Sequence, residues 1–161
     1  MTDLDRDDLN RDLLDRDLLD HVAISRLLGR YADVVTRRAW SELDDLFEPD
    51  ATVTVDTQVG DPIELVGADQ VGAFIGGSVE RFEFFELVPL NLVVDVSGDT
   101  ATGRAYQVEV RQDESTGRQT HAYGLYTDRY ERRDGRWRFG ARRYRSLARN
   151  GPDLTVFDRP A

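Results

Sequence analysis

Residues 31–53, Tyr31-Ala-Asp-Val-Val-Thr-Arg-Arg-Ala-Trp-Ser-Glu-Leu-Asp-Asp-Leu-Phe-Glu-Pro-Asp-Ala-Thr-Val53, place a helix, a short second helix and the start of a strand in direct succession. Just upstream, Ile24, Leu27, Leu28, Tyr31 and Val35 fall at i, i+3, i+4, i+7 and i+11, the spacing of a helix with one buried stripe. Ala39 to Phe47 reads as the second helix, stopped by Pro49 two residues beyond it. Ala51-Thr-Val-Thr-Val then alternates with period two in β-branched residues, which is the habit of a strand.

Downstream, Gly60-Asp-Pro makes a turn into a short strand at Ile63–Val66, and Gly67 opens a helix whose apolar positions are Val71, Phe74, Ile75, Val79 and Phe82. The Gly76-Gly77 pair should weaken the middle of that helix or end it early. Four long strands follow, Phe84–Val96, Ala101–Gln112, Gln119–Arg132 and Arg136–Leu147, joined by Ser97-Gly-Asp, Glu114-Ser-Thr-Gly and Arg133-Asp-Gly, all hairpin chemistry. Two helices, a strand pair, a third helix and a long antiparallel meander make an α+β cone.

The chain of 161 residues fits one domain, which at that size buries about two thirds of its unfolded surface. Residues 1–17 read as an acidic N-terminal extension, frayed and then helical, with the domain over residues 18–148 and a C-terminal tail over residues 149–161. With no cysteine there is no disulfide framework, thiolate metal site or thiol nucleophile. His21 and His121 are the two histidines and do not form metal-ligand spacing, so neither a metal nor a cofactor is expected. No apolar run approaches a membrane span and the N-terminus lacks the basic start of a signal peptide, so the expectation is a cytoplasmic protein with no membrane partner. A net charge of -10 argues against nucleic acid, whose binding depends on cations that displace counterions. The charge is uneven: residues 1–20 hold eight aspartates against three arginines, while Arg132, Arg133, Arg136, Arg138, Arg142, Arg143 and Arg145 crowd the last strand pair. Those arginines read as a solvated face turned toward the acidic N-terminus.

Tyr31 through Val53, Val93-Val-Asp-Val-Ser-Gly-Asp-Thr-Ala and Tyr126-Thr-Asp-Arg-Tyr-Glu-Arg-Arg-Asp-Gly-Arg-Trp resemble the SnoaL-like family of the nuclear-transport-factor-2-like superfamily over about Leu18 to Ala148. The resemblance implies a strongly curved, mostly antiparallel sheet whose mouth is closed by three helices over a small-molecule cavity, often in a homodimer paired through convex sheet faces. It supplies a pocket and a substrate size, not one chemistry, because relatives include ketosteroid isomerase, scytalone dehydratase, limonene epoxide hydrolase and polyketide cyclases. By alignment Tyr31 takes the place of the isomerase's oxyanion-binding tyrosine, while its basic aspartate falls at Val55, a residue that cannot carry a proton. The dehydratase's tyrosine-aspartate pair falls at Val35 and Thr36 and its histidines near Glu86 and Arg111. The hydrolase's arginine falls near Arg111, and its last-strand aspartate near Arg143.

Glu86, Glu109 and Arg111 are therefore the constellation with chemical interest, since a carboxylate in an apolar cavity has its pKa raised and can exchange protons near neutrality. Two readings of residues 101–112 compete. Alternation alone buries Tyr106, Val108 and Val110 and leaves Gln107, Glu109 and Arg111 in water; the family alignment turns the polar set inward. The candidate catalytic residues are Glu86, Glu109 and Tyr31, with Tyr126, Arg111, Val35, Val55 and Phe74 as substrate contacts. Tyr126 shares its strand face with Ala122 and Gly124, small neighbours that would leave space beside the ring. The expected partner is a hydrophobic small molecule. The expected function is proton transfer without a cofactor, of the isomerase, dehydratase (lyase) or cyclase type; the alternative is a noncatalytic binding or dimerisation module that has lost the family's acids and bases.

Overall fold

The computed structural model describes the backbone of residues 3–151 and 154–158, and within them all side chains except those of residues 3–10, 12, 13 and 154. The first two residues of the acidic extension and residues 152, 153 and 159–161 of the tail lie outside the described residues.

Helix α1 (Asp3–Arg37) is 35 residues long, and its leucine stripe divides it in two. Leu14, Leu18 and Leu19 are exposed, whereas Ile24, Leu27, Leu28, Tyr31, Val34 and Val35 are buried against the sheet. The change of regime falls at Asp20, a buried carboxylate that accepts from Trp137 Nε1 at 2.9 Å and pairs with Arg132. Arg132 thus faces the acidic N-terminal segment, as its charge suggested.

A 3-10 helix (Trp40–Asp45) follows, and β1 (Phe47–Asp56) begins at once. The strand therefore starts four residues before Ala51, and Pro49 lies inside it rather than closing a helix. The reason is tertiary. Phe47 pairs with Phe139 of β6 (Arg136–Asn150), their rings 5.1 Å apart, and Phe139 N–H donates to the Leu46 carbonyl at 2.9 Å. Pro49 falls in the register shift between Phe47 and Thr52, where the missing N–H costs no ladder bond.

β2 (Ile63–Val66) pairs antiparallel with β1 and leads into α2 (Gly67–Val79). Gly67 sits at φ +75° with the Pro49 carbonyl 3.2 Å from where a Cβ would be, so both backbone and space require glycine. α2 runs through Gly76-Gly77 without a break. Its stability comes from packing: the Trp40 indole occupies the place a Gly76 side chain would take, 3.2 Å from that Cβ position.

β3 (Phe82–Ser97), β4 (Thr100–Asp113), β5 (Gln119–Arg133) and β6 complete the sheet in the order β2-β1-β6-β5-β4-β3, with β7 (Leu154–Val156) paired to the end of β6. Part of the C-terminal stretch is thus sheet. Every pairing is antiparallel except β1 with β6. Register shifts at Leu90 in β3, between Tyr123 and Gly124, and between Arg129 and Tyr130 bend the strands into a curved sheet. α1 lies across one end of its concave face and α2 closes the other.

β4 shows how one strand serves both ends. Its concave residues Ala101, Gly103 and Ala105 are small where α1 and Tyr130 press on them, then Gln107, Glu109 and Arg111 become polar where the sheet opens. Tyr106, Val108 and Val110 are half-buried on the convex side, so the inward orientation implied by the family alignment is the one found.

Asp20→Ala should cost about 1–3 kcal/mol, because Trp137 Nε1 and the Arg132 guanidinium lose a shared buried acceptor. Urea unfolding measures it; a loss below the resolution of that titration would show that α1 is anchored by its apolar stripe alone.

Candidate functional site: an apolar cavity with a charged end

Rows of residues across the concave face, set by strand register, build the site. Val55 pairs with Tyr144 and Tyr144 with Tyr126; Val53 pairs with Arg142, and Arg142 with Asp128; Leu87 pairs with Glu109, Glu109 with Ala122, and Ala122 with Arg149. Between these rows and α2 lies a cavity of about 220 Å³. Val35, Val53, Val55, Leu65, Val71, Phe74 and Leu87 make most of its wall, and Tyr31, Glu109, Arg111, Tyr126, Tyr144 and Arg149 supply the polar groups.

All the sequence-selected residues except Glu86 meet there: Tyr31, Val35, Val55, Phe74, Glu109, Arg111 and Tyr126 line the cavity. Glu86 does not. It pairs with Val110, between the inward Phe85 and Leu87, so pleating turns it to the convex side, where it is exposed. Asp56, next to Val55, likewise points away, and its Oδ1 accepts from the Gln58 N–H at 3.0 Å. Thr36 caps the backbone of β3, accepting from Leu87 N–H at 3.1 Å.

The Glu109 side chain lines the cavity with 21 % exposure, and its Oε2 lies 3.1 Å from Arg111 Nη2. Burial pushes its pKa above the ordinary carboxylate value, with Arg111 and Arg149 pulling it back. Beside it stand three tyrosines. The Tyr31 and Tyr126 hydroxyls are 3.2 Å apart, their rings nearly perpendicular. Two hydroxyls in mutual contact hold two hydrogens and use one between them, which leaves the other free for a ligand oxygen. Burial raises the pKa of both, most strongly for Tyr126, so both are neutral donors at physiological pH. Burial and then the charge of Glu109 push Tyr144 up to about 12.

The space beside Tyr126 is not empty as the small neighbours implied. The Tyr144 ring fills it, coming within 2.2 Å of where a Gly124 Cβ would stand.

Sequence reasoning missed the groups beneath the tyrosine pair. Arg142, assigned above to a solvated arginine face, is fully buried. It donates from Nε to Asp128 Oδ1 at 2.8 Å and from Nη2 to Asp128 Oδ2 at 3.1 Å, while the Tyr130 hydroxyl donates to Oδ2 at 2.9 Å. Its Nη1 has no hydrogen-bond partner among the described residues. Aromatic faces take that place: the guanidinium carbon lies 4.3 Å from the Tyr31 ring centre, 3.8 Å from that of Tyr126 and 4.0 Å from that of Phe139. The available signal was Tyr126, Asp128 and Tyr130 on one face of β5, an aspartate between two aromatics where an unpaired charge could not be buried. The positive field of Arg142 favours negative charge at the neighbouring tyrosine hydroxyls.

No group of three or more histidines, aspartates or glutamates able to hold a metal occurs among the described residues, and no helix among them is long and apolar enough to cross a membrane.

Asp128→Ala should cost about 3–5 kcal/mol in urea unfolding, since it strands a buried guanidinium; a cost under about 1 kcal/mol would mean that the rings alone hold Arg142. The tyrosines set the alkaline limit. The unfolded chain ionises its tyrosines near pH 10, while the folded one keeps Tyr31, Tyr126, Tyr130 and Tyr144 protonated to higher pH. The unfolded state therefore loses protons first, and stability should fall as pH rises above 10. Tyrosinate absorbance from these four should appear together with loss of the folded circular dichroism signal; free titration of all four at pH 10 in a folded protein would contradict it.

The SnoaL-like domain family model matches residues 16–143. Comparison with curated proteins gives no match. Among solved structures, a candidate scytalone dehydratase of Novosphingobium aromaticivorans is similar at 23% identity and TM-score 0.74, over 92% of this chain and 94% of that one. An NTF2-like protein with a cystatin-like fold from Novosphingobium aromaticivorans shares 24% identity at TM-score 0.72, over 86% and 89% of the two chains. A hexachlorocyclohexane dehydrochlorinase, LinA-type3 of Novosphingobium barchaimii, shares 25% identity at TM-score 0.71, over 91% and 99%. The family match spans most of the chain and agrees with the helix-capped curved sheet around the cavity: the protein belongs to the SnoaL-like domain family.

Proposed function

We propose that this protein is a cofactor-independent enzyme that transfers a proton on a hydrophobic polyketide-, steroid- or terpenoid-like small molecule, in an isomerisation, dehydration or cyclisation. The observation that carries the reading is Glu109, a carboxylate of raised pKa at the polar end of an apolar cavity, across from a tyrosine pair with one hydrogen to spare. Ionised Glu109 takes a proton from carbon beside the substrate's oxygen-bearing carbon. The electron pair moves toward that oxygen, where Tyr126 or Tyr31 donates a hydrogen bond and Arg142 stabilises the charge from behind the rings. The proton then returns at a different atom, or a leaving group departs. Two structural neighbours are named for eliminations, a dehydratase and a dehydrochlorinase, and elimination also begins by removing a proton.

One contact favours the second reading, a noncatalytic binding module: the Glu109–Arg111 pair at 3.1 Å stabilises the carboxylate and weakens it as a base.

Hydrogen–deuterium exchange of 2-tetralone in heavy water, followed by NMR, separates the two. The enzyme should accelerate exchange over buffer, with a rate rising as pH climbs through the raised Glu109 pKa, and Glu109→Gln should lower it by about 10²-fold while 2-tetralone affinity changes little. No acceleration by the wild-type protein, or equal rates in the two proteins, would leave the binding module as the better account.

A further inference from the structure

The apolar cavity is not closed at its polar end. Arg81, Phe82, Arg111 and Arg149 line both the cavity and a second, wider hollow of about 540 Å³, which Arg118 and His121 also border. Four arginines thus converge at one mouth in a chain whose net charge is -10.

Little within the hollow offsets them. Asp113 is its carboxylate, and Asp113 Oδ1 is committed to the turn, accepting from the backbone N–H and hydroxyl groups of Ser115 and Thr116 at 2.7–3.1 Å. Among the described residues only Arg111 of the four is ion-paired, to Glu109, and its buried Nε has no partner. Arg149 donates to neutral acceptors, Nε to Ser146 Oγ at 3.1 Å and Nη2 to the Thr57 carbonyl at 2.8 Å, so it is held in place by groups that carry no charge, with Glu109 acting on it only through space. Arg81 lies over the Phe82 ring at 4.9 Å and is otherwise in solvent. His121 adds a donor: Asn150 Oδ1 accepts from the His121 backbone N–H, so the Asn150 amide nitrogen must donate to Nδ1 at 3.0 Å, which leaves the ring hydrogen on Nε2.

Clustered cations repel one another, and a protein with so many carboxylates has ample means to pair them. With three of the four outside any ion pair among the described residues, around a hollow that opens into an apolar cavity, they focus positive potential where a ligand's outer end would lie. We propose that the ligand is an amphiphilic anion, with an apolar body in the 220 Å³ cavity and a carboxylate or phosphate held at the mouth by Arg81, Arg111, Arg118 and Arg149. The proposal rests on the cavity being the ligand site and narrows the substrate class of the preceding section to acidic compounds. It also couples recognition to chemistry, because an anion that draws Arg111 away from Glu109 strengthens Glu109 as a base.

Titration calorimetry with 2-naphthoate and its neutral analogue 2-naphthalenemethanol tests this. The wild-type protein should bind 2-naphthoate about tenfold more tightly or better at low salt, the effect of one charge-assisted contact, and the advantage should shrink as salt is added. The double variant R81Q/R118Q removes two exposed charges that make no side-chain ion pair among the described residues; it should lose most of the advantage while keeping its affinity for the neutral probe, which also reports an intact cavity. Equal affinity for the two probes, undetectable naphthoate binding at millimolar concentration, or a preference that survives both R81Q/R118Q and Arg149→Gln would overturn the proposal. Exchange of 2-tetralone needs no anionic group, so the proton-transfer reading and this one fail independently.

Discussion

The Asp128–Arg142 pair is the interaction around which the interior is organised. Two charges removed from water are tolerable only when each is paired in good geometry, and the antiparallel register of β5 and β6 supplies that by setting the two residues directly opposite each other. Tyr130 completes the carboxylate's shell and three aromatic rings cover the guanidinium. A one-residue slip between these strands would point one member to the convex side and leave the other buried alone. The pair thus penalises wrong registers, and the correct register also places Tyr144 against Tyr126 and Arg149 beside Glu109 across Ala122.

The same pair ties the fold to the site. Tyr31 comes from α1 and Tyr126 from β5, 95 positions apart, and their hydroxyls meet because both rings pack on one guanidinium. The helix is thereby fixed at the cavity by a polar contact as well as by its apolar stripe. A fully apolar layer there would give comparable burial but no field at the tyrosine oxygens.

The cavity exists because the two ends of the concave face are filled differently. Under α1, β4 carries Ala101, Gly103 and Ala105, and the Tyr130 ring packs so closely on Gly103 that a Cβ there would lie only 3.1 Å from it, closer than ordinary contact. Toward α2, long polar side chains project from β4 and β6, and the remaining space is lined by apolar side chains from the helices and from β1, β2 and β3, with the charged groups gathered at one end. That polarity suits a ligand with two unlike ends.

The amino-acid sequence by itself determined the element order, the buried stripe from Ile24 to Val35 and the hairpins of the last four strands, because those follow from local periodicity and turn chemistry. It also limited the ionisable candidates to a few residues. It misplaced Pro49, since a proline ends a helix and tolerates a strand irregularity equally well, and only Phe139 decides between them. Alternation on β4 suggested that Glu109 and Arg111 face water, because a concave surface lined with charge around a cavity has the same pattern as a solvated one. Glu86 illustrates the converse: its strand is right, but its face depends on the pairing of Leu87 with Glu109. Arg142 was hidden among arginines that are exposed or half-buried, and nothing in its neighbours along the chain marks it as buried. Its partner lies 14 residues away on another strand, and burial of a charge is decided by what stands opposite it in space.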